Sequence, residues 1–292
     1  MFRYKRFFSY RSPVLWAIIG AAGALAFVYT CCLAERLHHY LTLSPTERII
    51  QHKLTAEGIA YDTLTFDLVD PSAAPEGIRE TVMKGYRIFI DTQKEAPEFV
   101  GARINCTNCH FSGGITTGGK GGGISLAGVA AKYPINDKRS GQVIDLSQRI
   151  NMCFRRSLNG KPLAYDSKEM IALLTYFHWI SRNFPLVEKA PWLSMKYLDE
   201  SKHKPDAEKG QMLYNIQCAL CHQQHGEGEG IVPPLWGPTA FNDGAGMNNP
   251  KVFATFVLYN MPYQSAFLTE EEAWDIAAYV TKQPRPEYKQ DP

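Results

Sequence analysis

The chain has 292 residues, 45% of them hydrophobic and 21% charged, which is enough for two domains of ordinary size and too apolar for a disordered chain. Its formal net charge of +2 conceals a division. Arg3, Lys5, Arg6, Arg11 and Arg36 meet only Glu35 within residues 1–40, so the remainder is close to neutral and lacks the broad basic face that nucleic-acid binding needs. Seven cysteines, grouped in short motifs, do not make a disulfide scaffold.

Met1–Arg11 is basic and free of acids, and an uncharged run follows from Ser12 to Ala34. A basic flank before an apolar segment leaves the N-terminus in the cytoplasm and sends the rest across the membrane. At ~1.5 Å per residue the run is long enough to span a bilayer core. Ala24-Leu25-Ala26 has the small-x-small pattern of a cleavage site but lies inside the apolar run, which favours an uncleaved anchor over a cleaved signal peptide. Residues 1–36 are therefore expected to be a signal anchor or signal peptide, and 37–71 a spacer. The body of the protein is expected to be periplasmic, tethered to the inner membrane.

The strongest signal is Cys106-Thr107-Asn108-Cys109-His110, repeated as Cys218-Ala219-Leu220-Cys221-His222. C-x-x-C-H is the attachment pattern of c-type haem. The two thiols add to the porphyrin vinyl groups, and the adjacent imidazole becomes the proximal iron ligand. A single C-x-x-C also suits a zinc half-site or a redox dithiol. Two copies, each followed directly by His on an exported chain, point instead to two covalently bound haem c groups, on Cys106 and Cys109 and on Cys218 and Cys221, with His110 and His222 on iron.

The surroundings repeat as well. Gly85-x-x-x-Phe89 precedes the first motif and Gly210-x-x-x-Tyr214 the second; a glycine one turn from an aromatic lets two helices approach closely. Asp166-Ser-Lys-Glu169 and Thr269-Glu-Glu-Glu272 both read as capping boxes. The helices they open match at Glu169/Glu272, Leu173/Ile276, Tyr176/Tyr279 and Phe177/Val280, a constant offset of 103. Helix, haem motif, loop, helix is the order of class I cytochromes c. The expected fold is mostly α: two tandem class I cytochrome c domains after the N-terminal helix, at 72–185 and 206–292, joined by a Pro- and Lys-rich linker at 186–205. Arg285–Pro292 reads as a tail. Between the first motif and the next helix, Gly114-x4-Gly119-Lys120-Gly121 nearly spells a phosphate loop. It lacks the Ser/Thr after the lysine and a preceding strand, so a flexible haem-side loop is the better expectation.

The distal ligands are expected to differ. Met261, in Asn260-Met261-Pro262, stands 39 residues past His222 and just before the last helix, where small cytochromes place a thioether that raises the potential; Met247 reads as a loop residue. The first domain has no such Met-Pro. Met170 and His178 fall on its last helix, where packing explains them, and spacing alone leaves Cys153 and Met152 level. The helix around them favours Cys153: Arg149, Cys153, Arg156 and Ser157 follow the i, i+4, i+7, i+8 spacing of one face, and Asn159-Gly160 ends it. Positive neighbours favour a thiolate, and arginines bind small dianions with paired hydrogen bonds.

Arg103-Ile-Asn-Cys106-Thr-Asn-Cys109-His110, Arg139-Ser140-Gly141 and Arg149-Ile-Asn-x-Cys153-Phe-x-Arg156-Ser157-x-Asn159-Gly160-Lys161 resemble the dihaem, tetrathionate-forming thiosulfate dehydrogenases. Asn260-Met261-Pro262 and Glu271-Glu272-Ala273-Trp274-Asp275-Ile276-Ala277-Ala278-Tyr279 are similar too, so the resemblance runs over about residues 75–285. It implies a first haem with His/Cys ligation as the active site and a second that passes electrons on. It implies that Cys153 is both iron ligand and reacting thiolate, and that Arg139, Arg149 and Ser157 bind the anion. The expected reaction joins two thiosulfates into tetrathionate, in a direction that can reverse, with electrons leaving for a periplasmic or membrane cytochrome. The alternative expectation is a tethered dihaem carrier with no chemistry of its own, which predicts Met or His at both distal positions.

Overall fold

A computed structural model describes residues 69–289, apart from 138, 183, 185–192, 194 and 200–202. The expected anchor at 1–36, most of the spacer and most of the linker lie outside the described residues. Among the described residues no helix is long and apolar enough to cross a membrane.

Each half is built on two helices that cross at a glycine. In the first half α1 (Glu76–Ile90) packs on a later helix across Gly85, where an added Cβ would collide with the carbonyl oxygen of Ala172. In the second half Gly210 meets the carbonyl of Asp275 in the same way. Ala172 and Asp275 are 103 positions apart, the offset of the sequence repeat, so the repeat is a repeat of this contact. No side chain fits at either crossing, and Phe89 and Tyr214, one turn on, fill the space beside it with fully buried rings.

The first half continues from α1 through a four-residue turn, α2 (Thr92–Glu95), to the Cys106–Asn108 turn of the first motif. A glycine-rich loop follows, and then a hairpin that the mostly helical expectation did not contain. Its strands, β1 (Ile135–Asp137) and β2 (Gln142–Ile144), pair antiparallel with Ile135 opposite Ile144. Ser140 N–H donates to Asp137 Oδ2 at 2.9 Å, and Gly141 takes the left-handed φ of 70° that closes the turn. Next come α3 (Leu146–Arg156), capped by Asp145, and α4 (Lys168–Trp179), the partner of α1. The N-cap of α4 is Ser167, which accepts from Met170 N–H. The expected box from Asp166 to Glu169 does not form, because Glu169 is drawn across to Lys84 of α1 at 3.0 Å.

The second half comprises α5 (Ala207–Gln217), the short α6 (Ala219–His222), α7 (Pro250–Asn260) and α8 (Glu270–Val280). The capping box of Thr269 with Glu272 at the start of α8 is present as expected. Met170 is fully buried in the first core, as its packing role required, whereas His178 is exposed.

The halves are joined by hydrogen bonds that nearly all end on main chain. Arg103, three residues before Cys106, donates to the carbonyls of Gly230 (3.1 Å), Val232 (3.3 Å) and Glu227, which follow the second motif. Asn242, 2% exposed, donates to Arg155 O and to Asn159 Oδ1 at the end of α3.

Asp275 lies buried on α8 and receives Asp206 N–H (2.8 Å), His203 Nε2 (2.6 Å) and Lys209 Nζ (3.2 Å), tying the start of α5 to α8. Burial pushes its carboxyl up, but these donors outweigh burial and hold it below the usual carboxylate range. Its stabilising contribution is therefore complete above about pH 3.9, the unfolded value, and is lost as pH falls through the lower folded value. Asp275→Ala should cost about 3–5 kcal/mol in urea unfolding at pH 7. Most of that difference from the native chain should vanish when the same titration is run in strong acid.

Candidate functional site

α1, α3, α4 and the first motif enclose a cleft of about 790 Å³, counted to its open side, with a predominantly apolar wall. Cys106, Cys109 and His110 line it from the motif loop, Phe89 and Phe177 from the crossing helices, and Arg149, Cys153 and Ser157 from α3.

Each polar group in that wall is held by a definable contact. His110 Nδ1 donates to Ile124 O at 2.8 Å, which leaves Nε2 facing the cleft as a free lone pair. Burial drives the imidazole down to about 4, so it stays neutral at physiological pH. Thr92 is fully buried; its hydroxyl accepts Cys106 N–H (3.2 Å) and donates to Cys106 Sγ (3.4 Å). In the second half His222 Nδ1 donates in turn to Pro233 O at 3.0 Å, and burial again lowers the imidazole. Among the described residues no three His, Cys, Asp or Glu side chains converge to hold a metal ion unaided. An oriented, neutral imidazole beside two thiols and an apolar slot fits a c-type haem, and the zinc half-site finds no support.

α3 supplies the remaining groups because its sequence runs four residues from Arg149 to Cys153 and four more to Ser157, one side of the helix. The helix ends as expected: Leu158 N–H returns to Cys153 O, Gly160 N–H to Phe154 O, and Asn159 adopts φ 46°. The Arg149 guanidinium is raised above its ordinary value, chiefly by its interaction with Cys153 and also by the Tyr133 hydroxyl beside it, against the lowering effect of burial. Tyr133 itself is pushed up, mainly by burial.

Arg139 sits in the hairpin turn and is absent from the cleft lining; its Nη1 donates to Gly244 O of the second half at 3.3 Å. Its guanidinium is lowered first by partial burial and then by Arg156 and Arg149. The two groups expected to hold an anion are thus electrostatic neighbours. Arg156, expected on the Cys153 face, turns away from the cleft and lies over the Tyr288 ring at 5.1 Å, with one buried nitrogen unbonded.

Met261 follows α7 in extended conformation and packs, with Met247 and Cys218, on the second core. Thr92, Tyr133 and Tyr288 were not visible as site residues in the sequence. Tyr133 carried a signal, a tyrosine directly before Pro134 and the hairpin; Tyr288 carried none.

Fold and motifs together define a protein of two cytochrome c domains. Residues 101–186 match the model of the SoxA/TsdA cytochrome c domain, and residues 205–280 that of the cbb3-type cytochrome c oxidase subunit III. The chain is 36% identical over 241 residues to the thiosulfate dehydrogenase of Allochromatium vinosum, covering 79% of this chain and 89% of that one. It is 37% identical to that of Thiomonas intermedia, covering 76% and 70% respectively. Among solved structures it resembles the thiosulfate dehydrogenase TsdBA from Marichromatium purpuratum, with a TM-score of 0.72 at 30% identity over 82% of this chain. It spans about half, 52%, of that longer chain. The chain belongs to the thiosulfate dehydrogenase family.

Thr92→Val should leave Cys106 N–H buried without an acceptor and cost about 1–3 kcal/mol. Guanidinium unfolding of the haem-loaded protein beside the wild type measures it.

Proposed function

We propose that the protein is a periplasmic dihaem c-type oxidoreductase that joins two thiosulfates into tetrathionate; the relatives it resembles are named thiosulfate dehydrogenases. The observation that carries this is the placement of Cys153 in the wall of the same cleft as His110, with Arg149 and Ser157 beside it on α3. A pure electron carrier has no use for a thiol and a guanidinium there.

In this reading Cys106 and Cys109 bond one haem and Cys218 and Cys221 the other, with His110 and Cys153 on the first iron and His222 and Met261 on the second. When bound, the two irons supply one-electron acceptors, and the chain's own groups do the rest. Arg149 holds one thiosulfate through its guanidinium, with Tyr133 beside it, and Ser157 offers a hydroxyl to a sulfonate oxygen. Arg139, at the hairpin turn, offsets the charge of the incoming second dianion.

The Cys153 thiolate and the sulfane sulfur of the first thiosulfate form an S–S bond, giving Cys–S–S–SO3⁻ and releasing two electrons. The sulfane sulfur of the second thiosulfate then attacks the sulfur that Cys153 carries. The Sγ–S bond breaks, tetrathionate leaves, and the thiolate is restored, with no proton transferred. Repulsion between two dianions opposes this step, and positioning without positive charge would not overcome it. The electrons pass from the second domain to a cytochrome or a membrane acceptor, and the chain is tethered at the inner membrane by residues 1–36.

Oxidised wild-type protein should be reduced by thiosulfate, followed in the visible haem bands. Cys153→Gly should keep both haems and lose that reduction while ascorbate still reduces it. If wild type and variant are both inert to thiosulfate but reducible by ascorbate, the carrier reading stands instead. Tyr133→Phe should raise KM for thiosulfate about fivefold at nearly unchanged kcat, as the loss of about 1 kcal/mol of support for the Arg149 guanidinium would; steady-state assays with a cytochrome acceptor measure it.

A further inference from the structure

The glycine-rich loop has no part in the chemistry proposed above, yet it touches the first half at its motif and the second at the end of α7. Its root is fixed to the first motif twice: Ile124 N–H donates to Cys109 O at 3.0 Å, and Ile124 O accepts from His110 Nδ1 at 2.8 Å. Its far side is fixed to the end of α7. Gly121 N–H donates to Tyr259 O at 2.7 Å, and Gly123 N–H donates to Asn260 Oδ1 at 2.8 Å. Between these points it is braced internally by Thr116, whose hydroxyl donates to Gly122 O (2.6 Å) and accepts Gly118 N–H (3.2 Å). Glycine is required at 123, where φ is 61° and an added Cβ would meet Cys109 O and the Phe111 ring at 2.9 Å.

Asn260 is 1% exposed, and both ends of its amide are used, the oxygen on Gly123 and the nitrogen on Phe256 O at 2.9 Å. The next residue is Met261, where the chain leaves the helix in extended conformation. Phe111, adjacent to His110, lies edge-on to Phe256 and Tyr263 on either side of that exit, with ring centres 5.8 and 5.2 Å apart. We infer that the loop at 113–123 is a strap by which the first domain, through Gly123 and Asn260, positions the distal methionine of the second. The inference rests on Met261 being that ligand.

The physical ground is that a thioether is a weak iron ligand whose bond depends on where the backbone holds it, and here the backbone is held from the other domain. Asn260 acts through Met261 and is a positioning residue. Ligation by methionine raises the reduction potential, so displacement of Met261 has a readout apart from turnover.

The test uses the full haem-loaded chain and reads two quantities: the far-red charge-transfer band that a thioether-ligated ferric haem gives, and the potential of the second haem. Met261→Ala should abolish the band and lower the potential. If the wild type lacks the band, or Met261→Ala retains it, the ligand assignment has failed and the strap has nothing to hold. With that assignment standing, Asn260→Ala should weaken the band and lower the second potential while the first haem's spectrum is unchanged. Thr116→Val is the deciding variant, because it loosens the strap without touching the second domain. A weakened second-haem band in Thr116→Val supports the strap even if Asn260→Ala fails to fold. A wild-type second-haem band and potential in Thr116→Val overturns it, whatever Asn260→Ala does.

Discussion

The closeness of two helices at one glycine governs the rest of the architecture. At Gly85 and again at Gly210 the backbone of one helix rests against a carbonyl of another, Ala172 or Asp275, with no room for a methyl group. That approach fixes the angle and depth at which α1 meets α4 and α5 meets α8, and so fixes where each motif loop emerges. Phe89 and Tyr214 fill the space beside the crossing, and Phe89 lies against His110 with ring centres 6.1 Å apart. The His110 imidazole therefore takes its place from a contact between main chains, and its tautomer from a second main-chain group, Ile124 O.

Upon that scaffold the hairpin turn, with Arg139, and α3, with Arg149 and Arg156, bring three guanidiniums near one another, and of these Arg149 lines the first cleft. Gathering three guanidiniums costs free energy that the fold offsets in different ways for each: a carbonyl for Arg139, a phenol for Arg149, an aromatic face for Arg156. Arg139 and Arg149 both lie within electrostatic reach of Cys153.

The sequence disclosed the parts whose chemistry is local. C-x-x-C-H, the capping box at Thr269 and the nine-residue run from Arg149 to Ser157 depend only on spacing along one chain, and all three are present in the structure. The 103-residue offset disclosed the paired crossings for the same reason. The failures come from tertiary competition. Glu169 left its cap because Lys84 lay across the helix pair, and Arg156 left its helical face because Tyr288, 132 positions later, offered a ring. The hairpin at 135–144 escaped notice because strands of three residues are too short to show a period. No pattern in either half announces that Arg103 and Asn242 reach across to the other.

Those two residues have a consequence for how the family can vary. The side chains of Arg103 and Asn242 donate mostly to carbonyls, those of Glu227, Gly230, Val232 and Arg155. A carbonyl is the same whichever side chain its residue bears. The loop from 227 to 232 can therefore drift in sequence while docking is preserved, except at Gly228 and Gly230, whose positive φ of 57° and 56° its backbone path needs. Variation between relatives should accumulate on the accepting loops, and the few donating positions should carry the memory of how the two domains were first joined.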